Sequence, residues 1–139
     1  MTSSATTEST RATALELLRR IAAGDPAGIA ELFAEQVDWA IAANPAVPWI
    51  RPRATRADVA DHFRELGEGQ SPDPAGTSVD AVVADGQDAM IAGQLAGTVR
   101  TTGKTFRSPF AARLTVEDGL ITGYRVYEDS LAIAAACTP

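Results

Sequence analysis

Apolar positions along the chain follow two periods, helical in the first half and alternating in the second, and the change between them divides the sequence. From Arg11 to Ala23, Ala14, Leu15, Leu18, Ile21 and Ala22 recur at helical spacing and Gly24 follows as a stop, which predicts a first helix. Asp25-Pro26 sets a capping residue before a proline at the first helical position, so a second short helix is expected with Ile29, Leu32 and Phe33 inward. Val37 to Ala42 alternates instead, with Val37, Trp39 and Ile41 on one side of a short strand. Three prolines around Trp49 exclude regular structure from Asn44 to Pro52. Thr55 then caps a third helix, with Asp58 at the capping-box position, a stripe of Val59, His62, Phe63 and Leu66, and Gly67 and Gly69 at its end.

After a turn-rich Ser71 to Gly76, the period becomes two. Strands are expected at Thr77 to Ala84 and Ala89 to Arg100, with turns at Asp85-Gly86 and Thr102-Gly103. The longest alternation, Thr105 to Asp129, reads as two antiparallel strands joined at Glu117-Asp118-Gly119, where Asp-Gly supplies positive φ. Phe106, Phe110, Leu114 and Val116 share one face of its first strand, and Arg107, Arg113 and Thr115 share the other. On its second strand Tyr124, Val126 and Glu128 share a face, so a carboxylate stands in line with apolar neighbours. Leu131 to Ala136 is a short apolar segment, helical by its alanines. The order implies an α+β fold, with helices covering one face of a curved antiparallel sheet.

Totals narrow this further. At 139 residues the chain is expected to hold one domain over residues 11–139, behind a polar, disordered leader MTSSATTEST at residues 1–10. Apolar content of 45% and charged content of 22% match an ordinary globular protein. A net charge of −6 argues against nucleic acid, which calls for a surplus of Lys and Arg. A single cysteine, Cys137, cannot form an internal disulfide and suits a reducing, cytoplasmic setting. Neither a signal peptide nor an apolar run of the ~18 residues that a membrane span requires is read. One histidine, one cysteine and no clustered carboxylate pair make no metal-ligand set, and no glycine-rich phosphate loop follows a strand, so no cofactor is expected.

Candidate chemistry centres on Glu128. Among Trp, Phe and Val its charged form is disfavoured, and a carboxyl of raised pKa can act as acid or base near neutrality; the alternative is a solvated strand end. His62, the one histidine, is either a hydrogen-bonded core residue or a partner to Glu128 across the cavity. Trp39 and Tyr124 face inward, as pocket walls or as core, and Tyr124 adds a hydroxyl. Trp49 is a lid or a loop anchor, and Arg51 and Arg53 meet an anionic group or lie on the surface. Asp129 is expected to cap the terminal helix.

Four segments in this order carry a resemblance. They are Gly24-Asp25 with Ile29 and Leu32-Phe33-Ala34; Val37 to Trp39 followed by Val47-Pro48-Trp49; Asp58-Val59, His62-Phe63 and Leu66; and Thr102-Gly103-Lys104 through Val116 to Ile121 and Tyr127-Glu128-Asp129. From Ala14 to Ala136 the chain resembles the nuclear transport factor 2-like superfamily, and its Val-Pro-Trp loop points to the SnoaL-like branch. The resemblance implies a cone of curved sheet around helices, no cofactor, and a small apolar or aromatic ligand. Cyclisation, isomerisation or epoxide opening is the chemistry implied; the catalytic residues expected from this chain's own pattern are Glu128 as acid or base, assisted by His62 or Tyr124. The pocket would be walled by Trp39, Ile41, Trp49, Phe63, Leu95, Phe106, Phe110 and Val126. Positions where relatives carry their own catalytic groups are Ile41 and Ala42 for isomerases, Gly93, Leu95 and Val126 for epoxide hydrolase, and Ala112 and Val126 for cyclases, so none of those constellations transfers. One or two residues of slip in the third strand, Ala89 to Arg100, would turn Gln94 inward instead of Leu95. A non-catalytic binding or interaction module of the same fold is the rival reading. Gln94, Thr98, Arg107, Arg113, Arg125 and Tyr127 on the convex face suit a homodimer.

Overall fold

The computed structural model describes residues 3–139. Helix α1 (Ser3–Ala23) and the one-turn α2 (Pro26–Ala30) lead into strand β1 (Phe33–Ile41). Helix α3 (Arg56–Gly69) follows, then β2 (Gln70–Pro72), β3 (Ser78–Asp85), β4 (Asp88–Val99), β5 (Thr105–Glu117), β6 (Leu120–Glu128) and α4 (Ser130–Cys137). The sheet runs β1-β6-β5-β4-β2, with β3 also on β4; β1 lies parallel to β6 and the other pairs are antiparallel. It curls as a half-barrel around the helices, the cone expected from the sequence.

Helix α1 ends at Ala23 before Gly24 as expected, but it starts earlier. Ser3 to Thr10, read as a disordered leader, form the first turns of α1; Met1 and Thr2 lie outside the described residues. Apolar periodicity misses these turns because hydroxyls dock them. Thr10 Oγ1 donates to the Gly86 carbonyl at 2.7 Å, and the Gly86 N–H donates to Thr7 Oγ1 at 2.9 Å, so Thr10 is buried without being apolar. The inward stripe runs Thr10, Ala14, Leu17, with Leu17 in the core, while Leu15, expected inward, is half exposed.

Leu32 and Phe33 are not helical. The Ile121 N–H donates to the Leu32 carbonyl and Phe33 pairs with Ile121, so the β1–β6 ladder takes the chain before a second turn of α2 can form. Asp25 precedes Pro26 as expected but its side chain makes no cap hydrogen bond. Ser71 to Gly76, read as turns, contributes β2 on the free edge of β4 and then a 3₁₀ turn.

The Thr55–Asp58 capping box is present in both directions, and Asp118 and Gly119 take positive φ at the β5–β6 turn. In β6 an extra residue between Gly123 and Ile121 breaks the register, so Ile121 and Tyr124, three apart, both point inward. The core gathers Leu17, Ile29, Phe33, Val59, Ile91, Leu114 and Ile121 between the helices and the concave face. A second cluster closes the far end, with Val47, Trp49, Val99, Phe106, Ile133 and Ala136 joining the proline-rich loop, the sheet and α4. Leu95 packs against that cluster and Gln94 is exposed, so in β4 Leu95 and not Gln94 is the inward residue.

Candidate functional site

Strand β6 ends at Glu128, and both flanks fix that end. Glu128 stands opposite Phe110, which stands opposite Gly93, so the carboxylate occupies one cross-sheet row with an aromatic ring and a glycine. The next residue turns the chain. Asp129 Oδ1 accepts from the Ala132 N–H at 3.0 Å and caps α4, while the Asp129 N–H donates to buried Ser108 Oγ at 2.8 Å. The backbone on either side of Glu128 is thereby tied to β5 and to α4.

A cavity of about 220 Å³ opens at this point, its lining including Ile41, Ala42, Val126, Tyr127, Glu128 and Ser130. Glu128 is partly buried, and among the described residues no protein group donates to its carboxylate. Burial alone pushes its pKa up. Tyr124, on the same face of β6, is buried; burial first, and then the charge of Glu128, push its phenol up as well, so it remains a neutral donor.

His62 sits deeper. Its ring lies 4.8 Å from Trp39 and 4.9 Å from Phe63, both edge-on, and its Nδ1 is 3.2 Å from the Trp49 carbonyl. Desolvation, and then the charge of Arg53, lower its pKa to about 4, so it is neutral at pH 7 and Nδ1 carries the proton that the carbonyl accepts. Arg53 Nη2 donates to the same carbonyl at 3.2 Å and to Glu65 Oε1 at 2.9 Å, and Arg51 also binds Glu65. Arg53 is therefore neither on the surface nor open to a substrate anion. Its burial is the feature that sequence reasoning missed, because its partner Glu65 lies twelve residues away on α3, a spacing with no local signature.

The expected pocket residues separate into three groups. Ile41, Val126 and Glu128 line the cavity. Trp39, Phe63, Phe110 and Tyr124 pack in the main core, with Trp39 and Tyr124 rings 4.7 Å apart. Trp49, Leu95 and Phe106 belong to the closing cluster, where Trp49 is buried over Gly69 so tightly that a Cβ there would meet its ring at 2.6 Å. Trp49 is thus an anchor of its loop in this structure. Ile41 pairs with Val126 and Val126 with Ala112, so three aliphatic positions that the resemblance sets against relatives' catalytic positions are adjacent. Among the described residues no three His, Cys, Asp or Glu side chains come together, and no helix is long and apolar enough to cross a membrane.

Residues 14–124 match the model of the SnoaL-like domain. The chain belongs to the SnoaL-like domain family. No curated protein matches it. Among solved structures, an NTF2-like protein from Burkholderia xenovorans LB400 is similar, at 24% identity and a TM-score of 0.82 over 95% of this chain and 98% of that one. A candidate polyketide cyclase from Silicibacter sp. TM1040 has 17% identity and a TM-score of 0.77, covering 95% and 97%. An LEH-like epoxide hydrolase from M. tuberculosis has 13% identity and a TM-score of 0.72, covering 94% and 90%. At these identities the likeness establishes the SnoaL-like fold, and activity has to be argued from the site.

Proposed function

We propose that this SnoaL-like protein is a cofactor-independent enzyme that isomerises, cyclises or hydrolyses a small apolar metabolite at the Glu128 cavity, with Glu128 as acid or base. The observation that carries the proposal is the setting of that carboxyl. It is partly buried, has no protein partner among the described residues, and lines a cavity with Ile41, Ala42 and Val126. Desolvation moves such a group toward the pKa at which proton transfer near neutrality is efficient. The assisting residues of this reading are Tyr124, a neutral hydroxyl further down the same face of β6, and His62, a neutral ring in the core beside Trp39. The family match, and fold likeness to a candidate cyclase and an epoxide hydrolase, support this reaction class. The protein acts as a cytoplasmic homodimer in secondary metabolism, pairing through the convex face where Gln94, Arg107, Arg113 and Tyr127 are exposed. Its acidic balance leaves nucleic acid out of its partners.

The test is turnover of a panel of simple substrates. Small ketones are incubated in D2O and followed by NMR for α-proton exchange, and small epoxides for diol formation. Wild-type protein should turn over at least one member, and Glu128→Gln should lose about 10²–10⁴ of that rate. An unchanged rate in the variant would remove the mechanism. One observation favours a second reading, a non-catalytic ligand-binding module: Ile41, Ala112 and Val126 are aliphatic where relatives carry catalytic groups. Ligand-dependent quenching of Trp39 and Trp49 fluorescence with no turnover of any panel member would favour that reading.

A further inference from the structure

The other carboxylates that are neither fully exposed nor buried are handled in a consistent way, although most lie nearer the surface than Glu128 does. Glu16 accepts from Arg19 and Arg20, Asp61 from Arg64, and Glu65 from Arg51 and Arg53. Asp58 accepts from the Ala54 and Thr55 backbone, and Asp88 from Thr115 and Arg113. Each of these partly buried groups recovers by hydrogen bonds the hydration it gives up, as such groups must. Glu128 is the exception among the described residues, and it is also the one that lines a cavity.

We infer that the cavity is shaped for a small organic ammonium ion, with Glu128 as counter-ion and Ile41, Ala42 and Val126 as the seat of its carbon body. The inference rests on the preceding reading that this cavity is the ligand site, and it adds a cationic head to the small, otherwise apolar ligand named there. Closing a ligand over Glu128 strips water from the carboxylate, and a charge-assisted N⁺–H···O⁻ bond replaces that water about twice as strongly as a neutral hydroxyl does. The cation at the rim does not compete, because Arg125 Nη2 is held by Asp38 at 2.7 Å. The net charge of −6 enriches cations around the molecule. Size sets the scale: about 220 Å³ lies below the roughly 300–1,000 Å³ of drug-sized sites, so the ligand is a compact amine. While paired to an ammonium, Glu128 stays ionised, which selects its base role over its acid role.

The experiment compares cyclohexylammonium with its neutral isostere cyclohexanol at pH 7, read by ¹⁵N-edited NMR at the amides of Val126 to Ser130. The ammonium should bind about tenfold or more tighter than the alcohol. Glu128→Gln should abolish that preference while amides outside the cavity keep their wild-type positions, and raising salt from about 20 to about 500 mM should weaken the ammonium alone. Equal binding of the two compounds, or a preference that survives in the variant, overturns the ammonium assignment and leaves the ligand site standing. If neither compound shifts these amides, both readings fall.

Discussion

The latch beneath the Trp49 loop and the cavity at the end of β6 each hold a partly buried glutamate, and they treat it in opposite ways. At the latch, Glu65 receives Arg53 and Arg51, and these hydrogen bonds hold its carboxyl below the ordinary range despite the opposing effect of burial. At the cavity, Glu128 receives no protein donor among the described residues, and burial raises its pKa. The fold can therefore satisfy a partly buried carboxylate where it needs a fastening. Glu128, beside an open cavity and without a protein donor among the described residues, has the setting on which its proposed role rests.

The contrast breaks first at Arg53. Its side chain is 2% exposed and joins Glu65, the Trp49 carbonyl and, through that carbonyl, His62. Arg53→Ala should cost about 3–5 kcal/mol by urea denaturation, because it strips a buried ion pair of one partner and releases the Trp49 loop. A loss below about 1 kcal/mol would mean that the latch holds nothing.

His62 tests the same latch through pH. Its ordinary pKa is 6.5 and its folded value about 4, so between these values the unfolded chain binds the extra proton. Stability should therefore fall as pH drops from about 6.5 to about 4, by on the order of 3 kcal/mol, with the full contribution present above about 6.5. The charged groups facing the ring are Arg53, which lowers its pKa, and Glu65, which raises it. Denaturation midpoints of wild type and His62→Gln across that window should diverge at neutral pH and converge toward acid. Parallel curves would remove His62 as the source.

The latch and the cavity were unequally legible in the sequence. The β5–β6 hairpin could be read because a strict period of two ends in Asp-Gly, and α3 because Thr55 and Asp58 lie three apart; both signals are local. Glu128 was legible for the same reason, since the alternation that sets Tyr124 and Val126 inward carries it along. What stayed hidden was held by contacts distant in sequence. Thr7 and Thr10 fasten the start of α1 to Gly86 across more than seventy residues, and polar hydroxyls leave no apolar stripe to find. Arg53 read as surface because a lone arginine has no mark of burial until Glu65 is placed beside it. The expected pocket residues divide between the cavity and the core for a related reason. Alternation says which residues point inward, and it does not say whether their rings meet, as those of Trp39 and Tyr124 do.

The finest test applies one substitution to both glutamates. Gln keeps the shape of Glu and removes the charge, so it imitates the protonated acid at any pH. At Glu65 the change removes a charge that two arginines need, and it should destabilise by about 1–3 kcal/mol at pH 7. At Glu128 the sign reverses. A folded pKa above the ordinary 4.5 means that the native state holds its proton more tightly than the unfolded chain does. The contribution of Glu128 to stability is therefore fully present below about 4.5 and is lost as pH rises through the raised folded value. Glu128→Gln should then match wild type in acid and exceed it slightly at pH 7, by about 0.5 kcal/mol. Opposite signs at the two sites separate a carboxylate kept for structure from one kept for a ligand. If Glu128→Gln is instead destabilising at pH 7, Glu128 has a partner within the protein and is not free for chemistry at this cavity.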